Sequence, residues 1–130
     1  MGTRHLICVV SDNQYRIAQY GQWDGYPEGQ GAAILEFLKS PMAKQLKNNL
    51  ERCSWITNDE YNKLWKEFGA DATQPYIDCD VYQSFSEKYP QLSRDTGAKI
   101  LKIAAGATGE KNLQNSLDFS QDSLFCEWAY

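Results

Sequence analysis

His5-Leu6-Ile7-Cys8-Val9-Val10, then Ser11-Asp12-Asn13, then Tyr15-Arg16-Ile17-Ala18-Gln19-Tyr20: these three runs decide the fold. Two apolar, β-branched-rich runs flank an Asp-Asn pair that tolerates tight-turn backbone, so the segment predicts a β-hairpin. At the other end, Leu124, Cys126, Trp128 and Tyr130 alternate with Phe125, Glu127 and Ala129. Apolar residues on both alternating sets predict a strand largely buried on both faces. A lone strand needs a partner, and the hairpin is the candidate.

Between these ends the apolar period becomes helical. Ile34, Leu35, Phe37 and Leu38 predict a short helix over residues 32–39. Ser40-Pro41 supplies a cap and a first-turn proline for a second, with Met42, Leu46 and Leu50 spaced by four. Thr57-Asn58-Asp59-Glu60 is a capping-box pattern, and Tyr61, Leu64, Trp65 and Phe68 follow as a helical stripe that Gly69 ends. Asp80-Val81-Tyr82-Gln83 is a second possible capping box, opening a helix through Phe85 and Tyr89 that Pro90 stops. Ser93 or Asp95 can cap another, with Gly97, Ile100, Leu101 and Ala104 on one face and a break over residues 106–109. Leu113 and Leu117 hint at one more turn of helix. The expectation is an α+β fold: the N-terminal hairpin and C-terminal strand in an antiparallel sheet, with about four helices packed on it.

Composition narrows the function classes. At 130 residues the chain is the size of one domain, and 42% hydrophobic residues suffice for a core. A net charge of −4 and the absence of a basic stripe argue against direct nucleic-acid binding. Cys8, Cys53, Cys79 and Cys126 are scattered without a C-x-x-C pair, the pattern of free thiols in a reducing compartment. No apolar run approaches membrane-spanning length, and the N-terminal apolar run is too short for a signal peptide. The expected location is therefore the cytoplasm, with no membrane partner. His5 is the single histidine, and nothing near it has metal-ligand spacing, so no metal or cofactor is expected.

Gln19-Tyr20-Gly21-Gln22-Trp23-Asp24-Gly25-Tyr26-Pro27-Glu28-Gly29-Gln30-Gly31 is the candidate site. Glycine and proline punctuate it too often for a regular element, so it reads as a structured loop. Its aromatics fit two compatible roles: plugs over the core, or the rim of a pocket with a few convergent polar groups. Arg94 and Asp95 are expected beside it, with Asp95 in the first turn of a helix or Arg94 reaching an acidic group, and Arg4 or Arg94 contacting the Asp24 loop.

Met1-Gly2-Thr3-Arg4-His5, the hairpin and the run from Gln22 to Gly31 resemble a family of uncharacterised proteins from phages, bacteria and fungi. Ser93-Arg94-Asp95-Thr96-Gly97 and Asp122-Ser123-Leu124-Phe125-Cys126-Glu127-Trp128-Ala129-Tyr130 resemble that family's later motifs. Many relatives begin Met-Cys-Thr-Arg, which is similar to the start of N-terminal-nucleophile (Ntn) hydrolases, and the resemblance implies an Ntn-hydrolase-like fold. In those enzymes the first residue supplies both the nucleophile and, through its free amine, the base. Here that position is Gly2, which has no nucleophile. Relatives also continue past Trp-Ala-Tyr with another strand pair, so residues 1–130 are one domain, either whole or short of those strands.

The reading that follows is a non-catalytic binding protein. One form is a phage accessory factor, in the host-cell cytoplasm, that inhibits a host defence protein or sequesters its small-molecule signal. Its ligand- or partner-binding residues are expected to be Arg4, His5, Gln22, Trp23, Asp24, Tyr26, Arg94, Asp95 and Glu127. The alternatives are an Ntn-like amidohydrolase using Thr3 or Cys8, and a structural interaction domain.

Overall fold

A computed structural model describes residues 2–70 and 77–130; Met1 of the opening motif lies outside them. Strands β1 (His5–Ser11) and β2 (Gln14–Gly21) form the expected hairpin, each slightly longer than the apolar runs. Asp12 and Asn13 both take left-handed backbone, φ 53° and 63°, as a two-residue hairpin turn demands. Val9 faces Ile17 and Val10 faces Tyr15, so Arg16 is an extra residue and a bulge bends the ladder there.

Five helices follow or interrupt the strands among the described residues: α1 (Ala32–Leu38), α2 (Met42–Asn49), α3 (Asn58–Glu67), α4 (Cys79–Lys88) and α5 (Lys99–Ala105). A wide π-helical turn, Pro27–Gly31, runs straight into α1, so the last third of the candidate loop is helical and not irregular. In α1, Phe37 is buried and Ile34 packs against the core, whereas Leu35 and Leu38 are exposed. Ser40 does not cap α2; its hydroxyl donates to the Phe37 carbonyl at 2.6 Å. The Thr57–Glu60 capping box of α3 forms as read, with both reciprocal bonds present. Helix α4 begins earlier than expected, because Asp78 rather than Asp80 accepts the first-turn amide, from Asp80 N at 2.9 Å.

The sheet needs correction. Strand β5 is only Trp128–Ala129, exposed, and pairs with β1 in parallel, so the order is β2-β1-β5 and the sheet is mixed. The Asp122 carboxylate accepts from the amides of Leu124 (3.1 Å) and Phe125 (3.0 Å), which folds the start of the alternating run into a turn. Two short strands were not foreseen. β3 (Cys53–Trp55) and β4 (Lys111–Leu113) pair in parallel, and Leu113 belongs to that ladder, not to a helix. Leu117 opens a 3₁₀ turn, Leu117–Gln121.

Ile7 and Ile17 of the hairpin share the main core with Phe37, Leu46, Ile100 and Leu101 from α1, α2 and α5. On the opposite face Leu6 pairs with Tyr20, and Phe119 of the 3₁₀ turn meets Tyr20 edge-on at 4.8 Å. A second cluster is aromatic: Trp65 of α3 and Phe85 of α4 stack, with Tyr61, Phe68, Tyr82 and Tyr89 around them. The first core lends Phe37, Met42 and Ala98 to the site, and the second reaches it only through Tyr82, which bonds to Asp95.

Candidate functional site

The chain leaves β2 at Gly21 and immediately turns over the end of the sheet. Gln22 N donates to the Arg94 carbonyl (3.2 Å), and Gly25 N donates to the Thr3 carbonyl (3.0 Å). Asp24 adopts left-handed backbone, φ 56°, and its carbonyl accepts from Gln30 N at 2.8 Å. Gln30 then acts as a strut: its Nε2 donates to the Trp23 carbonyl (3.3 Å), and its Oε1 accepts from Ala98 N (2.9 Å). Tyr130 O–H donates to the Gly25 carbonyl at 2.8 Å, tying the C-terminal strand to the same loop.

These struts hold Trp23 at the mouth of a cleft of about 570 Å³, a size suited to a small organic ligand. Trp23 is 46% exposed and Tyr26 40%, so neither is a plug over the core, and of the two only Trp23 lines the cleft. The indole N–H donates to Asp95 Oδ1 at 2.8 Å, and Tyr82 O–H donates to Asp95 Oδ2 at 3.1 Å. Asp95 N in turn donates to Ser93 Oγ at 3.2 Å. Asp95 therefore lies in the turn before α5, not in that helix's first turn, and α5 takes no side-chain cap from it or from Ser93. Gly97, expected on the helix face, has φ 53° and belongs to the same turn.

The inner cleft runs between α1 and α5. Ala33, Phe37, Met42 and Ala98 make its apolar floor, while Glu36 on one wall and Lys99 and Lys102 on the other carry its charge. Of the nine residues expected from the sequence, Trp23, Asp24 and Asp95 line it. Gln22 and Tyr26 support the loop: Tyr20 O–H donates to Gln22 Oε1, and Tyr26 O–H donates to Asp24 Oδ1 at 3.2 Å. That bond to a carboxylate, with the carboxylate's charge, raises the Tyr26 phenol above its ordinary pKa. Arg94 touches the loop through its main chain, while its guanidinium lies 5.4 Å over the Tyr82 ring. Arg4 lies 4.8 Å over Phe125, and Glu127 is bonded through its amide to the Arg4 carbonyl. Neither lines the cleft. Gln30, Glu36, Lys99 and Lys102 were missed. Nothing in the sequence marked the lysines, because Asp95 lies outside α5 and the left-handed Gly97 separates it from them.

His5 is wholly buried and also outside the cleft. Its ring sits over Gly21, and Gly25 approaches its Cβ so closely that a side chain there would stand 2.8 Å away. Nδ1–H donates weakly to the Thr3 carbonyl at 3.4 Å, leaving Nε2 buried without a partner. Burial lowers its pKa below the ordinary 6.5, against smaller opposing pulls from the Thr3 carbonyl and the Asp24 charge. The folded chain thus keeps a neutral imidazole where the unfolded chain takes up a proton. Below about pH 6.5 the unfolded state binds more protons, so stability falls as pH drops through that window and is fully present above it. Urea unfolding followed from about pH 7 to about pH 5 is expected to show this decline, and His5→Gln is expected to flatten it. An unchanged pH slope in that variant would place the titrating group elsewhere.

Two observations bear on the catalytic alternatives. A side chain at position 2 would drive into the Gln22 carbonyl, so the backbone here is built around glycine. Desolvation raises the Cys8 thiol pKa, the reverse of what activates a cysteine. Among the described residues no three His, Cys, Asp or Glu side chains stand together as a metal site, and no helix is long and apolar enough to cross a membrane. The chain matches no protein-family model, no curated protein and no solved structure.

Proposed function

We propose that the protein acts by binding and not by catalysis, and that the cleft between α1 and α5 holds a small-molecule ligand. The observation that carries this is Trp23, half exposed at the cleft mouth yet fixed by the 2.8 Å bond from its indole to Asp95. An aromatic side chain left in solvent but locked in orientation is preorganised for a ligand, because its ordering cost is met before binding. The space at position 2, which a side chain cannot enter without meeting the Gln22 carbonyl, and the raised Cys8 thiol pKa support a binding role. Of the two forms expected for a phage accessory factor, sequestering a small-molecule signal suits a concave site better than blocking a protein.

The test is native purification, denaturation and mass spectrometry of whatever small molecule is released. Ala33→Trp fills the cleft from an exposed position on α1, and is expected to abolish retention without changing the melting temperature. Trp23→Ala is expected to weaken retention while costing only about 1–2 kcal/mol of stability, since a half-exposed ring and one hydrogen bond are lost. Undiminished retention by Ala33→Trp, or amide hydrolysis that depends on Thr3 or Cys8, would overturn the reading.

A further inference from the structure

The cleft has two chemically different ends. At its mouth the only hydrogen-bond donor of the Trp23 indole is already spent on Asp95, so the ring offers a ligand nothing but its π face. Asp95 meets the indole at its N–H edge, and Asp24, whose carboxylate accepts from Tyr26 O–H, lines the same cleft. Each oxygen of Asp95 accepts one bond, from Trp23 at 2.8 Å and from Tyr82 at 3.1 Å, which fixes the carboxylate and leaves further lone pairs open. A π face in a cleft that also holds two carboxylates attracts a cation and repels an anion. Along α5, Lys99 and Lys102, both exposed, project from one helix face, separated by about 4.5 Å of helix rise, and can close on one anionic group. Between the two ends the floor is apolar: Ala33, Phe37, Met42 and Ala98. Glu36, on the opposite wall, is a second cation acceptor beside the lysines' end. Three carboxylates against two ammonium groups leave the cleft net negative, which disfavours a polyanion such as a nucleotide.

Resting on the reading of the cleft as a ligand site, we infer that the ligand is a basic α-amino acid or a short peptide ending in one. The side-chain cation sits on Trp23 between Asp24 and Asp95, and the aliphatic stem lies over the apolar floor. The carboxylate is held by Lys99 and Lys102, and the α-ammonium faces Glu36.

Calorimetric titration of the full chain with four probes tests each part: L-arginine, its uncharged isostere L-citrulline, its decarboxylated form agmatine, and guanosine monophosphate. Arginine is expected to bind, with citrulline and agmatine each weaker by about tenfold or more and the nucleotide not bound. D95N keeps an oxygen for the indole N–H and removes the charge, so it is expected to erase the preference for arginine over citrulline. K99A/K102A is expected to erase the preference for arginine over agmatine and to leave the other intact. Equal binding of arginine, citrulline and agmatine, or tighter binding of the nucleotide, would overturn the ligand class. So would silence from all four probes while the native protein still releases a different molecule that A33W excludes, an outcome that leaves the cleft standing. Arginine binding that A33W does not affect would instead remove the cleft itself.

Discussion

Phe85→Ala is expected to cost about 3–5 kcal/mol, the range for deleting a fully buried phenylalanine, and to lower the melting temperature by roughly 10 °C or more. Phe85 is 0% exposed and is the hub of the second cluster. Its ring stacks on Trp65 at 3.7 Å and meets Phe68 and Tyr89 at 5.6 and 5.3 Å. The stiff rings that surround it collapse poorly into a void, while Leu64, Val81 and Leu92 of the same cluster can relax only in part. The damage should also reach the cleft. Tyr82 packs in the same cluster and holds Asp95, which holds Trp23. Chemical unfolding gives the stability, and indole fluorescence of the folded variant reports the loosened Trp23. A loss below about 1 kcal/mol would mean that α3 and α4 are held by something other than this cluster.

Gly21→Ala is expected to destabilise by about 1–3 kcal/mol or more, although it adds a single methyl group. Gly21 is not in left-handed backbone, so the effect is steric and not conformational. The new Cβ would occupy the space of the His5 imidazole, which faces Gly21 across the β1–β2 ladder. That ring cannot swing away, because Gly25 closes its other side. The decisive measurement is a double-mutant cycle. His5→Ala empties the space, so the double variant should be more stable than the sum of the two single losses predicts. Strict additivity would show that the clash is relieved some other way.

The hairpin was legible because two adjacent residues, Asp12 and Asn13, tolerate the left-handed backbone that the turn requires. Helix α3 was legible because its capping box and its apolar stripe agree. Other elements were hidden for physical reasons. Strands of three residues, Cys53–Trp55 and Lys111–Leu113, are too short to show a period, and they find each other only after α3, α4 and α5 have folded the chain back. The alternating run before Tyr130 overstated its strand, since Asp122 captures two of its amides locally. Thr96 donates its hydroxyl to the Pro90 carbonyl and Gly97 turns left-handed, so α5 starts later than Ser93 or Asp95 suggested. The cleft mouth could be read from Trp23, Asp24 and Asp95. Its inner half could not, because Glu36, Lys99 and Lys102 look like ordinary solvated helix residues until α1 and α5 are set face to face.

The parallel pairing of His5 with Trp128 and Leu6 with Ala129 has a consequence for biosynthesis. The central strand of the sheet leaves the ribosome well before Trp128 and Ala129, which form its second neighbour. The hairpin and the helices can dock as they emerge, but the Trp128 edge closes only once the intervening helices and the segment through Tyr130 are free. Until then one side of β1 is an unpaired ladder, open to any extended segment nearby. Closure over so long a separation in sequence also carries a large loop entropy, which places this step late in folding. The same event docks Tyr130 on Gly25, so the loop that carries Trp23 gains this support only after the residues that follow α5 have been made.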